Sequence, residues 1–298
     1  MIHLCYSNRS EELLAALAET LAAARAQPGA SLFQPTHLVV PNRNVETYVK
    51  LGLARALGIA ANIETRLLRG FFAQVVRDSF TDVELCDRPH IQGELLGLLH
   101  DDGFLAAPDL EPVRAYIYMG TAGTAPDAVD LRRCQLSAEL AALFDDYAFS
   151  RPEMLAAWRE HRLAEGPDLV TQRWQRTLWR GIFAPDGTLA ARAAADRKQR
   201  RTLAELFDGV DPAALRLPPA VHVFGISYVA RLYKSMFATL AQSTALYIYT
   251  LNPCREFWGT SRREPGGRAP PTAASSRRGG RRSSCRSTRP TASTKIRC

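Results

Sequence analysis

Residues Val221 to Gly259 read VHVFGISYVARLYKSMFATLAQSTALYIYTLNPCREFWG, and no other stretch constrains the fold as tightly. Val221 to Phe224 is a short apolar-rich run that ends at a glycine. An amphipathic run follows, and Ala245 to Thr250 then leads into a polar exit loop. Strand, loop, helix and strand in that order make a parallel pair joined by a crossover, the unit of α/β cores. The start of the chain has the same grammar. Ile2 to Tyr6 reads as a short buried strand, and Leu13, Leu14, Leu17, Ala18 and Leu21 then recur at helical spacing. Asn8 with Glu11 three residues on is expected to form the capping box of that helix, and Pro28-Gly29 closes it. His37 to Val40 is a second strand ended by Pro41, and Val45 to Leu57 a second helix stopped by Gly58.

Between these β-containing ends the pattern is helical. Helices are expected over Leu68 to Phe80, His90 to His100, Gln135 to Tyr147, Pro152 to His161, Gln172 to Phe183 and Leu189 to Phe207. The expected organisation is a core of residues 1–65 and 208–260, a helical insertion over 66–207, and a distinct tail over 261–298. The tail holds ten Arg and one Lys against a single acid, Glu264, and Ile296 is its one large aliphatic residue. Such a composition cannot bury a core and reads as disordered. Its Arg, Pro, Ala, Gly and Ser all have GC-rich codons, which suggests out-of-frame translation; the rival reading is a natural basic arm. The tail carries +10 of a net +8, so the other 260 residues sum to −2. The basic pI of about 9.4 therefore says nothing of the body's partners.

The six cysteines form no CxxC pair or His/Cys cluster, which argues against structural zinc, and Cys5 reads as a buried thiol. The first residues lack the pattern of a secretory signal and no long apolar run is present, so the chain reads as cytoplasmic, with no membrane contact. Where an ATP-driven motor has a glycine-rich loop ending in Gly-Lys-Ser/Thr, this chain has Ser7-Asn8-Arg9-Ser10-Glu11-Glu12. No glycine admits a phosphate there, no lysine pairs with one, and two carboxylates in the first helical turn repel it. Gly120 to Thr124 is a glycine-containing turn without Gly-Lys. Asp145 and Asp146 point about 100° apart on a helix, cannot share a metal, and read as a solvated face. His3, His37 and His222 read as sheet histidines.

Several segments carry a resemblance. They are Tyr6-Ser7-Asn8-Arg9, Gly58 to Glu64, Leu143 to Tyr147 with Arg151-Pro152, the pair Trp174 and Trp179, Val223 to Ser227, and Leu251 to Gly259. In this order and spacing, over about residues 1–260, they resemble the gamma subunits of exodeoxyribonuclease V, the RecC family. The resemblance implies an α/β fold: a superfamily 1 helicase-like parallel sheet core that lacks ATPase motifs, with a large α-helical insertion. It implies a scaffold without an active site of its own, in a helicase-nuclease that processes double-strand breaks. Partners would be RecB-like and RecD-like subunits, which carry the ATP and Mg, together with single-stranded DNA and duplex ends. Family members are several-fold longer than this chain.

The resemblance also singles out a DNA-binding surface. The loop after the second strand, Pro41-Asn42-Arg43-Asn44, corresponds to a single-strand grip in working motors. Amides suit base edges there and Arg43 suits phosphate, while Asn44 is equally expected as the helix cap. Leu67, Leu143, Asp145 and Arg151 match the type found on the family's surface that scans single strands for the regulatory sequence Chi. An Asp accepts from a base amino group and an Arg donates to the O6/N7 edge of guanine; the other reading of Asp145 and Arg151 is an intrahelix or local ion pair. Val40, Asn42, Glu46, Ala73 and Ala142 depart from that pattern, which puts the recognised sequence in question. Two other readings stand beside this one: a nucleotide-binding enzyme with a degenerate phosphate loop, and a nucleic-acid binder acting through its basic tail.

Overall fold

The computed structural model describes residues 1–29, 31, 33–119, 126–166, 168–226 and 229–252, with the backbone of 294–295. The Gly120–Thr124 turn, Ser227, the Leu251–Gly259 motif beyond Asn252, and the tail apart from 294–295 lie outside the described residues. The chain opens as β1 (Ile2–Ser7), α1 (Ser10–Arg25), β2 (Thr36–Val40), α2 (Arg43–Leu57), β3 (Ile63–Leu67) and α3 (Leu68–Ser79). It continues as β4 (Val83–Leu85), α4 (Arg88–His100), α5 (Asp102–Leu105), α6 (Glu111–Tyr118), α7 (Pro126–Ser150), α8 (Pro152–Arg159), α9 (Leu169–Phe183) and α10 (Thr188–Asp196). It ends as β5 (Gln199–Arg201), α11 (Leu203–Phe207), β6 (Ala220–Phe224), α12 (Arg231–Leu240), β7 (Ala245–Leu251) and β8 (Thr294–Lys295). Two compact units result. Among the described residues, one falls within 1–71, 217–229 and 237–298, and the other within 72–216 and 230–236. Among the described residues no helix is long and apolar enough to cross a membrane.

The first unit is α/β. Its sheet has the order β3-β2-β6-β7-β1-β8, and every pair is parallel. Helices α1 and α2 cover one face of it. Leu13, Leu17 and Leu21 of α1 and Val49 and Leu53 of α2 are at most 3% exposed against Cys5, Leu38, Val40, Phe224 and Tyr249. Each such aliphatic side chain contributes about 1.5–3 kcal/mol on burial. The two helices approach closely at Gly52, where a Cβ would collide with the Leu14 side chain. Gly58 ends α2 at φ +78°, a conformation that glycine adopts without cost.

Three expectations for this unit are corrected. Asn8 does not cap α1: the N-cap is Arg9, without a side-chain bond, and Glu12 accepts instead from Ser7 Oγ at 2.5 Å. Asn44 does not cap α2, a role taken by Asn42. Residues 63–67, not foreseen as a strand, form β3 in register with β2.

Polar aromatic rings stack across the sheet. His3 and Tyr247 lie 4.5 Å apart at 9°, and His222 and Tyr247 4.9 Å apart at 14°. Burial, with a smaller push from His37, holds His222 down at about 4. The folded value lies below the unfolded 6.5, so the unfolded chain takes up this proton first as pH falls. The stability contributed by neutral His222 is complete above about pH 6.5 and is lost as pH falls toward 4. We expect the native chain to lose about 2 kcal/mol between pH 7 and pH 5 through this group. Urea midpoints should show that increment in the native chain and lack it in His222→Gln.

The second unit is helical, with a small parallel pair, β4 and β5. The helix expected over Leu189 to Phe207 is three elements. Arg197 turns left-handed at φ 58°, β5 pairs with β4, and Thr202 and Glu205 make a complete capping box for α11. Arg200 holds the break, donating to Glu84 Oε2 at 2.9 Å and Asp196 Oδ2 at 2.6 Å. An aromatic ladder runs through the core: Phe144, Tyr147 and Trp179 each lie 6.0–6.5 Å from Trp158, all edge to face.

Candidate nucleic-acid interface

Parallel α/β sheets present their loops for binding at the carboxyl ends of the strands. At that end of β1 the turn into α1 is closed on itself. Ser7 Oγ donates to Glu12 and accepts from the Arg9 N–H at 3.1 Å, while the Asn252 N–H donates to Ser7 O at 2.8 Å. Glu11 and Glu12 occupy the first helical turn. A phosphate approaching this helix start meets carboxylates where a phosphate loop offers free N–H groups.

At the same end of β2 and β3, Val40 and Leu67 are register partners; the loop expected over Pro41–Asn44 is only Pro41-Asn42, since Arg43 and Asn44 already form the first turn of α2. Asn42 is extended, and its Oδ1 accepts from the Val45 N–H at 3.0 Å. Arg43 is 84% exposed and reaches Glu46 at 3.2 Å, and Lys50 reaches the same carboxylate at 2.7 Å. The hydrogen bond from Lys50, helped by both positive charges, holds the Glu46 carboxyl below its usual range. Asn44 is exposed, and Leu67 is 42% exposed. We expect Asn42→Ala to cost about 1 kcal/mol through loss of the cap, and Asn44→Ala to change little. Thermal denaturation of the two variants checks this.

The remaining residues lie in the helical unit, on α7 and at the start of α8. Leu143 is half-buried. The solvated face expected for Asp145 and Asp146 is half wrong. Asp145 is 3% exposed, and its Oδ2 accepts from Arg88 Nε at 2.7 Å, while Asp146 outside it accepts from Arg88 Nη2 at 2.8 Å. Adjacent helical residues point in different directions, and one guanidinium spans the difference. The hydrogen bond that Arg88 donates to Asp145 raises the Arg88 pKa further. Arg88 is the residue sequence reasoning missed. It stands 57 positions upstream, and the only hint was a pair of carboxylates in need of a partner. Arg151 is exposed, is the N-cap residue of α8 ahead of Pro152, and lies 5.4 Å over the Tyr147 ring. Among the departures from the family pattern, Val40 and Ala73 are buried at 0% and 8%, so their apolar character is that of core residues.

No group of His, Cys, Asp and Glu able to hold a metal occurs among the described residues. Cys5 is buried, as its place in the strand predicts.

Comparison with known proteins places this geometry. A family model described as RecC, N-terminal domain, matches residues 2–282, further than the motifs, whose resemblance ends near residue 260. The RecBCD enzyme subunit RecC of Haemophilus influenzae is 26% identical over 280 residues, covering 85% of this chain and 24% of the relative. That of Escherichia coli is 26% identical over 232 residues, 76% of this chain and 20% of the relative. That of Mycobacterium tuberculosis is 28% identical over 252 residues, 81% and 22% respectively. The chain thus spans a quarter or less of the length of these relatives. With its all-parallel α/β unit, its helical unit and a match over most of its length, the chain belongs to the RecC N-terminal domain family.

Proposed function

We propose that this chain acts as the N-terminal part of a RecC-type scaffold subunit, binding single-stranded DNA without an ATPase of its own. The observation that carries the reading is the family match over residues 2–282. The Ser7–Glu12 turn supports the absence of a motor, because Ser7 Oγ takes the Arg9 N–H and the carboxylates of Glu11 and Glu12 repel a triphosphate from the helix start. The all-parallel sheet supports a helicase-like core. In this reading the partners are RecB-like and RecD-like subunits, and the complex works on DNA ends in double-strand break repair. A scan for a Chi-like sequence belongs to the same reading.

On the α/β unit, Arg43 and Asn44 contact the strand and Leu67 offers an apolar surface. On the helical unit, Arg151 pairs with phosphate or a guanine edge beside Leu143. Asn42 and Asp145 hold these surfaces in shape, the first as a cap and the second through Arg88.

The test is a pair of binding measurements on the purified chain. A fluorescent ATP analogue should show no saturable binding, and Arg151→Ala should lower affinity for a single-stranded oligonucleotide by roughly fivefold, about 1 kcal/mol. DNA-stimulated ATP hydrolysis that disappears on substitution of Ser7 or Arg9 would sink the proposal.

A further inference from the structure

Within the helical unit, α7, α8, α9 and α11 enclose a cavity of about 580 Å³. Its floor is apolar: Phe144, Leu155, Trp179 and Phe207 line it, each at most 7% exposed. A second cavity of about 540 Å³ shares Arg159, Phe183, Glu205 and Asp208 with the first and extends to Arg201. The wall between them is an ion pair. Arg159 Nη2 donates to Glu205 Oε1 at 2.6 Å while its guanidinium lies 5.6 Å over the Trp179 ring. Thr202 fixes Glu205 from the other side through the capping box.

Most of the charges around this groove are committed. Arg159 is paired with Glu205, Glu153 with Arg231, and Arg200 with Glu84 and Asp196. Among the described residues, Asp208 and Arg201 have no side-chain partner. The groove is thus an apolar socket, an ion-paired saddle and one uncommitted charge of each sign. Ligand pockets of this size are ordinary, but two cavities parted by a saddle suit an extended chain better than a compact molecule. Three carboxylates against Arg159 at the first cavity disfavour a phosphate backbone.

We propose that this groove docks an extended segment of a protein partner. A bulky apolar side chain fills the first cavity, a basic residue beside it meets Asp208, and an acidic residue further on meets Arg201. The inference is independent of the DNA-binding reading, since none of these residues belongs to the proposed single-strand surface.

A positional-scanning library of peptides about seven residues long, read by fluorescence polarisation against the full chain, tests it. The expected result is a preference for Phe, Trp or Leu at one position, with Lys or Arg beside it and Asp or Glu beyond. Ala156 is an exposed α8 residue that lines the first cavity. Ala156→Trp should fill the socket and weaken the best peptide about tenfold or more. Asp208→Asn should remove only the preference for the basic residue. Unchanged melting of both variants assigns the losses to docking. The proposal is overturned by a flat library, or by equal affinity for Ala156→Trp. It is overturned equally if phenethylamine competes as well as the peptide, marking a small-ligand pocket, or if a single-stranded oligonucleotide does, marking a nucleic-acid site.

Discussion

Trp158→Ala is expected to destabilise the helical unit by about 4 kcal/mol, and Trp158→Phe by about 1 kcal/mol or less. Trp158 is fully buried, at 0% exposed, among Phe144, Tyr147 and Trp179, so removing its ring leaves a void that three aromatic neighbours cannot close. The Phe variant differs in kind. The indole Nε1 of Trp158 is buried, and among the described residues it has no hydrogen-bond partner. A buried unsatisfied donor already costs about 1–3 kcal/mol, and phenylalanine abolishes that cost while giving up part of the packing. Urea denaturation followed by near-UV circular dichroism separates the two. Equal losses for Ala and Phe would show that the indole N–H has a partner in solution.

Arg88→Ala should cost about 3 kcal/mol, because it strands the Asp145 carboxylate in the interior. The low end of the range for a buried pair applies, since the Arg88 side chain is 51% exposed and water reaches the gap it leaves. Breaking one side of a buried pair is worse than replacing both sides by apolar groups. The double variant Arg88→Met with Asp145→Leu should therefore recover most of the loss. Asp146→Ala, which removes only the exposed partner, should cost less than about 1 kcal/mol. If Arg88→Ala and Asp146→Ala have the same effect, the pair with Asp145 is not formed in solution.

What was legible in the sequence follows from where the deciding interactions lie. Strands β1, β2, β6 and β7 and helices α4 and α9 show in apolar spacing, a property of each segment alone. Strand β3 is harder to see, because Glu64 and Arg66 interrupt a five-residue strand whose partner is set by the sheet. The break between α10 and α11 is hidden in an alanine-rich run of high helix propensity. It is enforced by Glu84, 116 positions away, although the Thr202/Glu205 capping box was there to be read. The cap of α2 moved from Asn44 to Asn42 because both asparagines precede the apolar run, and the end of β2 decides which one is extended. For the interface, the residue types of Arg43, Asn44 and Arg151 could be read and their exposure could not. The Asp145 role changed because its partner Arg88 lies on another helix.

Single-strand binding by the folded body is tested most directly by salt titration of oligothymidylate binding to the full chain and to the chain without residues 261–298, with melting curves to confirm folding. If the body holds the strand, binding survives the deletion. Its remaining salt slope should be near −1.4, about −0.7 for each of two phosphate contacts, and Arg43→Ala and Arg151→Ala should each remove about one contact. If all binding vanishes with the ten arginines of the tail, along with a slope near −7, the body is not a single-strand surface and the account is wrong.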